Sequence, residues 1–250
     1  MTHRRNVRIF ALLGAVILTL LPALLPRRAR AASPDAAGYS VTQVSGGGTI
    51  AGKILYNGKP IRPKHFPVTQ DVSVCGKAKE IYPAKVGEGG VAEAVVWLDD
   101  ITSGKAFNFP EPALNQKNCD FAPHVLLMQP GTLKVLSSDA ASHNIHVFSS
   151  ANREVNQVMP PQGSPVEVTL ARPDQVKILC EIHKWMSAYI FVVKNPYYVL
   201  SGMGGAYALS DVPAGKYHVK VWQESLGTQT QEVTVETGKM VTINFNLGSK

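Results

Sequence analysis

Cysteine is scarce in this chain of 250 residues: there are three, Cys75, Cys119 and Cys180. They are too few and too far apart for a small disulfide-stapled scaffold, and no Cys-x-x-Cys knuckle is present. Low-complexity tracts are also missing. Charged residues make up 17% against 45% hydrophobic ones, a composition able to form a core rather than a disordered chain. No window holds a sustained helical period, which excludes a helical bundle. The 21 glycines and 17 prolines suit a β-protein with many turns.

A basic stripe interleaved with aromatics is absent as well, although the formal charge is +7. Residues 1–31 carry six arginines (Arg4, Arg5, Arg8, Arg27, Arg28, Arg30) and no acid, and without them 19 basic residues face 18 acidic ones. The basicity therefore belongs to the N-terminal segment, and a nucleic-acid partner is not expected. That segment has the order of a secretory signal: basic Met1–Arg8, apolar Ile9–Leu25, then Ala29-Arg30-Ala31 as a small-x-small cleavage site. Export to the periplasm or an equivalent compartment is the expectation. An uncleaved anchor is the alternative, because 17 apolar residues fall at the lower limit for spanning a bilayer. Arg4-Arg5 fits a twin-arginine signal poorly. Residues 32–47 end in Ser45-Gly46-Gly47 and read as a flexible linker.

The rest of the chain reads as strands recurring every eight to twelve residues, the pattern of an all-β sandwich. Thr49–Tyr56 alternates and runs into the turn dipeptide Asn57-Gly58. Val91–Leu98, His124–Met128, Thr132–Leu136, Asn144–Phe148, Val166–Leu170 and Gln175–Leu179 follow. Ser187–Val193 is continuously apolar, as in a strand buried on both faces. Ala206–Leu209, Tyr217–Trp222, Gln231–Val235 and Val241–Asn246 close the series.

In an oxidising compartment an odd number of cysteines leaves one thiol with another task. The expectation is a Cys75–Cys119 disulfide and a free Cys180; the plain alternative is that all three are small buried residues. What surrounds Cys180 favours the first. Cys180-Glu-Ile-His183-Lys-Trp-Met186 places a thiolate, an imidazole and a thioether in one turn between two strands, where all three can point at one ion. His143, where a loop enters a strand, is the expected fourth donor. His146 competes with it, but shares a strand face with Asn144. Two imidazoles, a thiolate and a weak thioether form the donor set of a mononuclear blue-copper site. Structural zinc prefers four strong N or S ligands, a dinuclear copper centre needs a second loop cysteine, and a multicopper oxidase needs His-x-His pairs. None of these is present. His124, His65 and His218 are expected to be packing, solvated or structural residues. Trp185 is either packed or an aromatic through which electrons enter.

The segments CDFAPHV at 119–125, HNIH at 143–146 and CEIHKWMSAYI at 180–190 resemble the cupredoxin domain, with the short ligand loop of its amicyanin branch. With VCG at 74–76 and DVPAGKYHVKVW at 211–222, the chain is similar to bacterial periplasmic proteins labelled methylamine-utilisation or plastocyanin-like. In these a cupredoxin is combined with a carboxypeptidase-regulatory-like (transthyretin-like) sandwich. Lys184 and Gln223 stand where that family commonly has Pro and His. The resemblance implies a Greek-key cupredoxin at 118–194, inserted between the first part of a regulatory-like sandwich at 48–117 and its closing strands at 195–250. It also implies one copper ion on His143, Cys180, His183 and Met186. The resulting expectation is a periplasmic electron carrier, not an enzyme, whose partner is a redox protein such as a c-type cytochrome or a periplasmic oxidoreductase. The alternatives are copper sequestration and a structural binding module.

Overall fold

The computed structural model describes residues 38–248. The signal segment at 1–31, the start of the linker and the last two residues lie outside the described residues. The fold is all-β. Among the described residues, apart from one four-residue helix, Val72–Cys75, and a short 3-10 turn at Met203–Gly205, the regular elements are strands. No helix among the described residues is long and apolar enough to cross a membrane.

Two pairs of sheets carry the architecture. In the first, a four-stranded sheet runs in the order Phe121–Ala122, Ala113–Gln116, Gly131–Ser137, Val166–Leu170. It faces a five-stranded sheet in the order Val125–Met128, Ser187–Val192, Asp174–Leu179, His143–Phe148, Val155–Met159. This is a cupredoxin-like β-sandwich. Its period-2 strands turn Leu133, Val135, Val168, Leu170, Val176 and Ile178 into one core. Each such side chain contributes about 1.5–3 kcal/mol by leaving water. The sandwich starts upstream of residue 118, because Ala113–Gln116 pairs in parallel with Lys134–Ser137.

The flanking sandwich is built from both ends of the chain. One sheet orders Tyr198–Leu200, Val95–Leu98, Gly215–Gln223 and Gly227–Val235. The other centres on Gly48–Tyr56, which pairs with Ala206–Val212 on one side and with Met240–Thr242 and Phe245–Leu247 on the other. Gly52 permits that close pairing, since a Cβ there would lie 1.7 Å from the Ile243 carbonyl oxygen. The continuous apolarity of Ser187–Val192 has a direct cause. Ala188, Ile190 and Val192 fill the first core, while Phe191 and Val193 pack with Val95, Trp97 and Trp222 between the two sandwiches.

Three local expectations change. Val91–Leu98 is two strands in different sheets, Gly90–Ala92 and Val95–Leu98. Glu93 stands between them at φ 57°, and the chain steps across on hydrogen bonds from Glu93 N to Ser201 O and from Ala94 N to Ser201 Oγ. Asn57-Gly58 closes no hairpin, because the next strand, Lys64–Pro67, pairs with Ala78–Ile81 in a separate two-stranded sheet. Finally, the segment read as a flexible linker is tied down from Tyr39 onward. Tyr39 is buried and donates to the Lys105 carbonyl, and Ser40–Val41 pairs with Ser103–Gly104.

Candidate metal centre

His143 opens the His143–Phe148 strand, and Cys180 follows the last residue of Asp174–Leu179. These strands pair antiparallel, with His146 opposite Leu179, so their ends meet at one edge of the sandwich. From Cys180 the chain turns back into Ser187–Val192. The turn is closed by Met186 N donating to His183 O at 2.9 Å and by Cys180 N donating to Met186 O at 3.3 Å. His143, Cys180, His183 and Met186 are each at most 1% exposed. One donor atom from each of His143, Cys180 and His183 lies within 4.8 Å of the others. Met186 is packed in the same core as Cys180.

Carboxylates fix the orientation of the two imidazoles. His143 Nε2 lies 2.8 Å from Asp139 Oδ2, and His183 Nε2 lies 3.1 Å from Asp71 Oδ2. A carboxylate only accepts, so each ring carries its proton on Nε2. When both rings are neutral, the form that binds metal, both Nδ1 atoms are lone pairs, and they face each other at 3.0 Å. Two acceptors meeting in a buried, dry place repel unless a cation lies beside them. Burial holds the His143 imidazole below the ordinary histidine range, against the opposite pull of Asp139, and the neutral ring is the form that binds metal. Cys180 Sγ accepts from Asn144 N at 3.4 Å and His183 N at 3.3 Å, an arrangement suited to a thiolate. Asn144 also takes the Glu181 N–H on its side-chain oxygen, so one residue ties the His143 strand to the Cys180 loop.

Asp139 accepts from three donors: His143 Nε2, Asn118 N and Cys119 N, the last two at 2.7 Å. Asn118 and Cys119 both have left-handed backbone, φ 56° and 53°, which turns successive N–H groups around the carboxylate. The sulfurs of Cys75 and Cys119 are bonded to each other, and Cys180 is free and buried. Cys75 Sγ lies 3.7 Å from His183 Nε2. A second donor grouping, Cys119 with Asp139 and His143, has its sulfur spent in that disulfide.

The other histidines among the described residues are occupied elsewhere. His146 lies between Glu181 and Glu154 at 2.8 and 2.7 Å and is outside the donor group. His124 donates to Ser187 O and Glu224, His65 pairs with Glu80, and His218 pairs with Asp100. Trp185 is half-buried, donates to Cys119 O, and holds its ring 5.1 Å from that of His183. It also lines a cleft of about 1010 Å³ with Phe121, His124 and Trp222. Lys184 pairs with Glu181 at the surface, and buried Gln223 braces the turn through Ser225 N and Leu226 N. Asp71 and Asp139 were not anticipated. The Asp139-x-x-x-His143 spacing was visible, but Asp71 lies 112 residues from its histidine and leaves no local signal.

The donor chemistry fits copper: one soft thiolate, two neutral imidazoles with free Nδ1 lone pairs, and a buried thioether close in sequence. Fold and donor group thus define a class, an all-β protein with a cupredoxin-like sandwich and a His–Cys–His group able to take a metal ion.

No family model matches the chain, and no curated protein matches it. Among solved structures, a purple cupredoxin from Nitrosopumilus maritimus is 17% identical, covering 33% of this chain and 99% of its own, at a TM-score of 0.29. A reduced Cu(I) form of an amicyanin variant is 14% identical over 40% of this chain and 97% of its own, at 0.30. A copper-containing nitrite reductase from Thermus scotoductus SA-01 is 21% identical over 36% of this chain, at 0.30, and the match spans only 24% of that enzyme.

Proposed function

We propose that the protein is an exported, non-enzymatic carrier of single electrons that uses one type 1 copper ion. His143 and His183 hold the ion through Nδ1, Cys180 through its thiolate and Met186 through its thioether. The observation that carries this reading is the pair of Nδ1 atoms facing each other at 3.0 Å, each ring locked from behind by a carboxylate. Bound copper supplies a one-electron couple. The chain's own residues supply the rest. The two N–H groups on Cys180 Sγ hold the thiolate in place, Asn144 fixes the distance between the two ligand-bearing segments, and burial of all four donors keeps water away. A donor set that cannot relax changes little between oxidation states.

His183 is fully buried, so exchange with a partner is assigned to the Trp185 side, where the ring reaches the cleft. The partner is a redox protein of the c-type cytochrome or periplasmic oxidoreductase kind. Export rests on the basic, then apolar, then small-x-small order of residues 1–31. The flanking sandwich is read as the carboxypeptidase-regulatory-like host of an inserted cupredoxin. Titration of the metal-free protein with Cu(II), followed by visible and electron paramagnetic resonance spectra, tests the reading. The expected result is an intense thiolate-to-copper band, lost in Cys180→Ser. A colourless protein whose copper binding survives that substitution overturns it.

A further inference from the structure

The Cys75–Cys119 disulfide reaches the outer nitrogen of both candidate histidine ligands. On the Cys119 side, the backbone N–H of Cys119 and Nε2 of His143 donate to the same Asp139 oxygen, at 2.7 and 2.8 Å. On the Cys75 side, Sγ lies 3.7 Å from His183 Nε2, and Asp71, which opens the turn leading to Cys75, lies 3.1 Å from that nitrogen. The Lys64–Ile81 hairpin carrying Asp71 and Cys75 shares no backbone sheet with either sandwich. Besides the bond, it is held by Val68 and Val74 in the core and by polar contacts such as Gln70 Nε2 to Ile182 O at 3.2 Å. The disulfide is therefore the covalent tether that keeps Asp71 over His183. In the bonded form Cys75 Sγ lies 3.7 Å from His183 Nε2 and Cys119 Sγ within 4.8 Å of donor atoms on Asp139 and His143, so reducing the bond would add two thiols to Cys180 beside the same two imidazoles. Soft thiolates compete strongly for copper.

We infer that oxidation of Cys75 and Cys119 completes the metal centre and must precede metal loading. The bond positions both imidazoles from behind and removes two rival thiol donors. In this step two thiols lose two protons and two electrons and one S–S bond forms; the electrons pass to a disulfide-bearing oxidant, which is reduced to a dithiol. Cys75, Cys119, Asp71 and Asp139 are positioning residues here. The inference rests on His143, Cys180 and His183 being metal ligands, but not on the metal carrying electrons.

Two measurements test it. Anaerobic competition for Cu(I) against a chromophoric chelator is expected to give one ion in the oxidised protein. In Cys75→Ser/Cys119→Ser, affinity is expected to fall 10–100-fold, the usual effect of losing the groups behind a ligand. In the fully reduced wild type, binding is expected to become insensitive to His183→Ala, because thiols now hold the ion. Nitrogen NMR of the metal-free protein reads the positioning without any metal: both rings are Nε2–H in the oxidised form, and His183 becomes a tautomer mixture in the double variant. A folded double variant with unchanged affinity and tautomers overturns the inference, as does a reduced protein that still depends on His183. If the double variant does not fold, Asp71→Ala with the bond intact decides: unchanged His183 tautomer and affinity overturn the clasp, and a mixed tautomer with at least tenfold weaker binding supports it. A protein that passes these tests but shows no thiolate–copper colour ends the type 1 reading and leaves this one standing.

Discussion

Both sandwiches bury polar groups, but the flanking one, Asn246 Oδ1 apart, closes them on themselves. There, Tyr197 Oη donates to Asp211 O and accepts from Lys105 N, and Asn195 bridges Leu98 O and Tyr197 N. Ser201 Oγ links Val91 O to Ala94 N, and Tyr207 donates to Ile243 O. Each donor meets an acceptor, as buried polar groups ordinarily do. In the cupredoxin-like sandwich the same accounting leaves more over: Gln116 Oε1 and Ser137 Oγ have no partner, and the Nδ1 atoms of His143 and His183 face each other beside a thiol sulfur. One region spends nearly all its buried hydrogen bonds on the fold, whereas the other turns two ring nitrogens and a sulfur towards a point where an ion could be held.

That contrast can be broken or sharpened by experiment. The largest expected effect is that of the metal itself. At a thousandfold excess over Kd, a bound ion stabilises by about 4 kcal/mol, and hydrogen exchange should slow in His143–Phe148 and Ser187–Val192 far more than in Gly215–Gln223. Equal slowing in both sandwiches would erase the distinction. Next is Asp139→Ala, which leaves three N–H donors without their acceptor and should cost about 3 kcal/mol in urea unfolding, together with a loss of metal affinity. Tyr197→Phe, the counterpart in the flanking sandwich, should cost about 1 kcal/mol and leave metal affinity unchanged. A drop in affinity there would show the two regions to be coupled.

The smallest effect is a pH dependence at the junction of the sandwiches. Burial alone would depress the His124 imidazole, but the hydrogen bond and charge of Glu224 outweigh it and raise His124 above the ordinary histidine value. A raised folded-state value stabilises fully below the ordinary pKa of about 6.5 and is lost as pH rises through the elevated one. Stability should therefore fall by less than about 1 kcal/mol across that window on the alkaline side of 6.5. Glu224→Gln should flatten the fall.

Much of the candidate centre was legible because its residues lie close in sequence. Cys180, His183 and Met186 fall in one turn, and an odd cysteine count set Cys180 apart from Cys75 and Cys119. His143 was separable from His146 because the two occupy opposite faces of one strand. Alternation also marked most strands to within a few residues. What stayed hidden depends on contacts distant in sequence. Asp71 reaches His183 across 112 residues, and His124 reaches Glu224 across 100. The step at Glu93 is concealed inside an apolar run, because a strand that changes sheets keeps the composition of one that does not. The short Lys64–Pro67 and Ala78–Ile81 strands lie on the surface and lack the apolar alternation that makes a strand readable.

The pairing of Gly48–Tyr56 has a consequence for how the chain reaches this structure. Its partners on either side, Ala206–Val212 and the Met240–Leu247 segment, lie some 150 residues or more downstream. Contacts of such separation are formed late, after a long loop has closed. The cupredoxin-like sandwich draws all its strands from residues 113–192 and is spared that delay. A chain emerging from its N-terminus must keep an apolar, alternating strand without its main partners while the sandwich between is made. Such a strand invites pairing with other chains, so the interval before Ala206–Val212 arrives is when this protein is most exposed to aggregation.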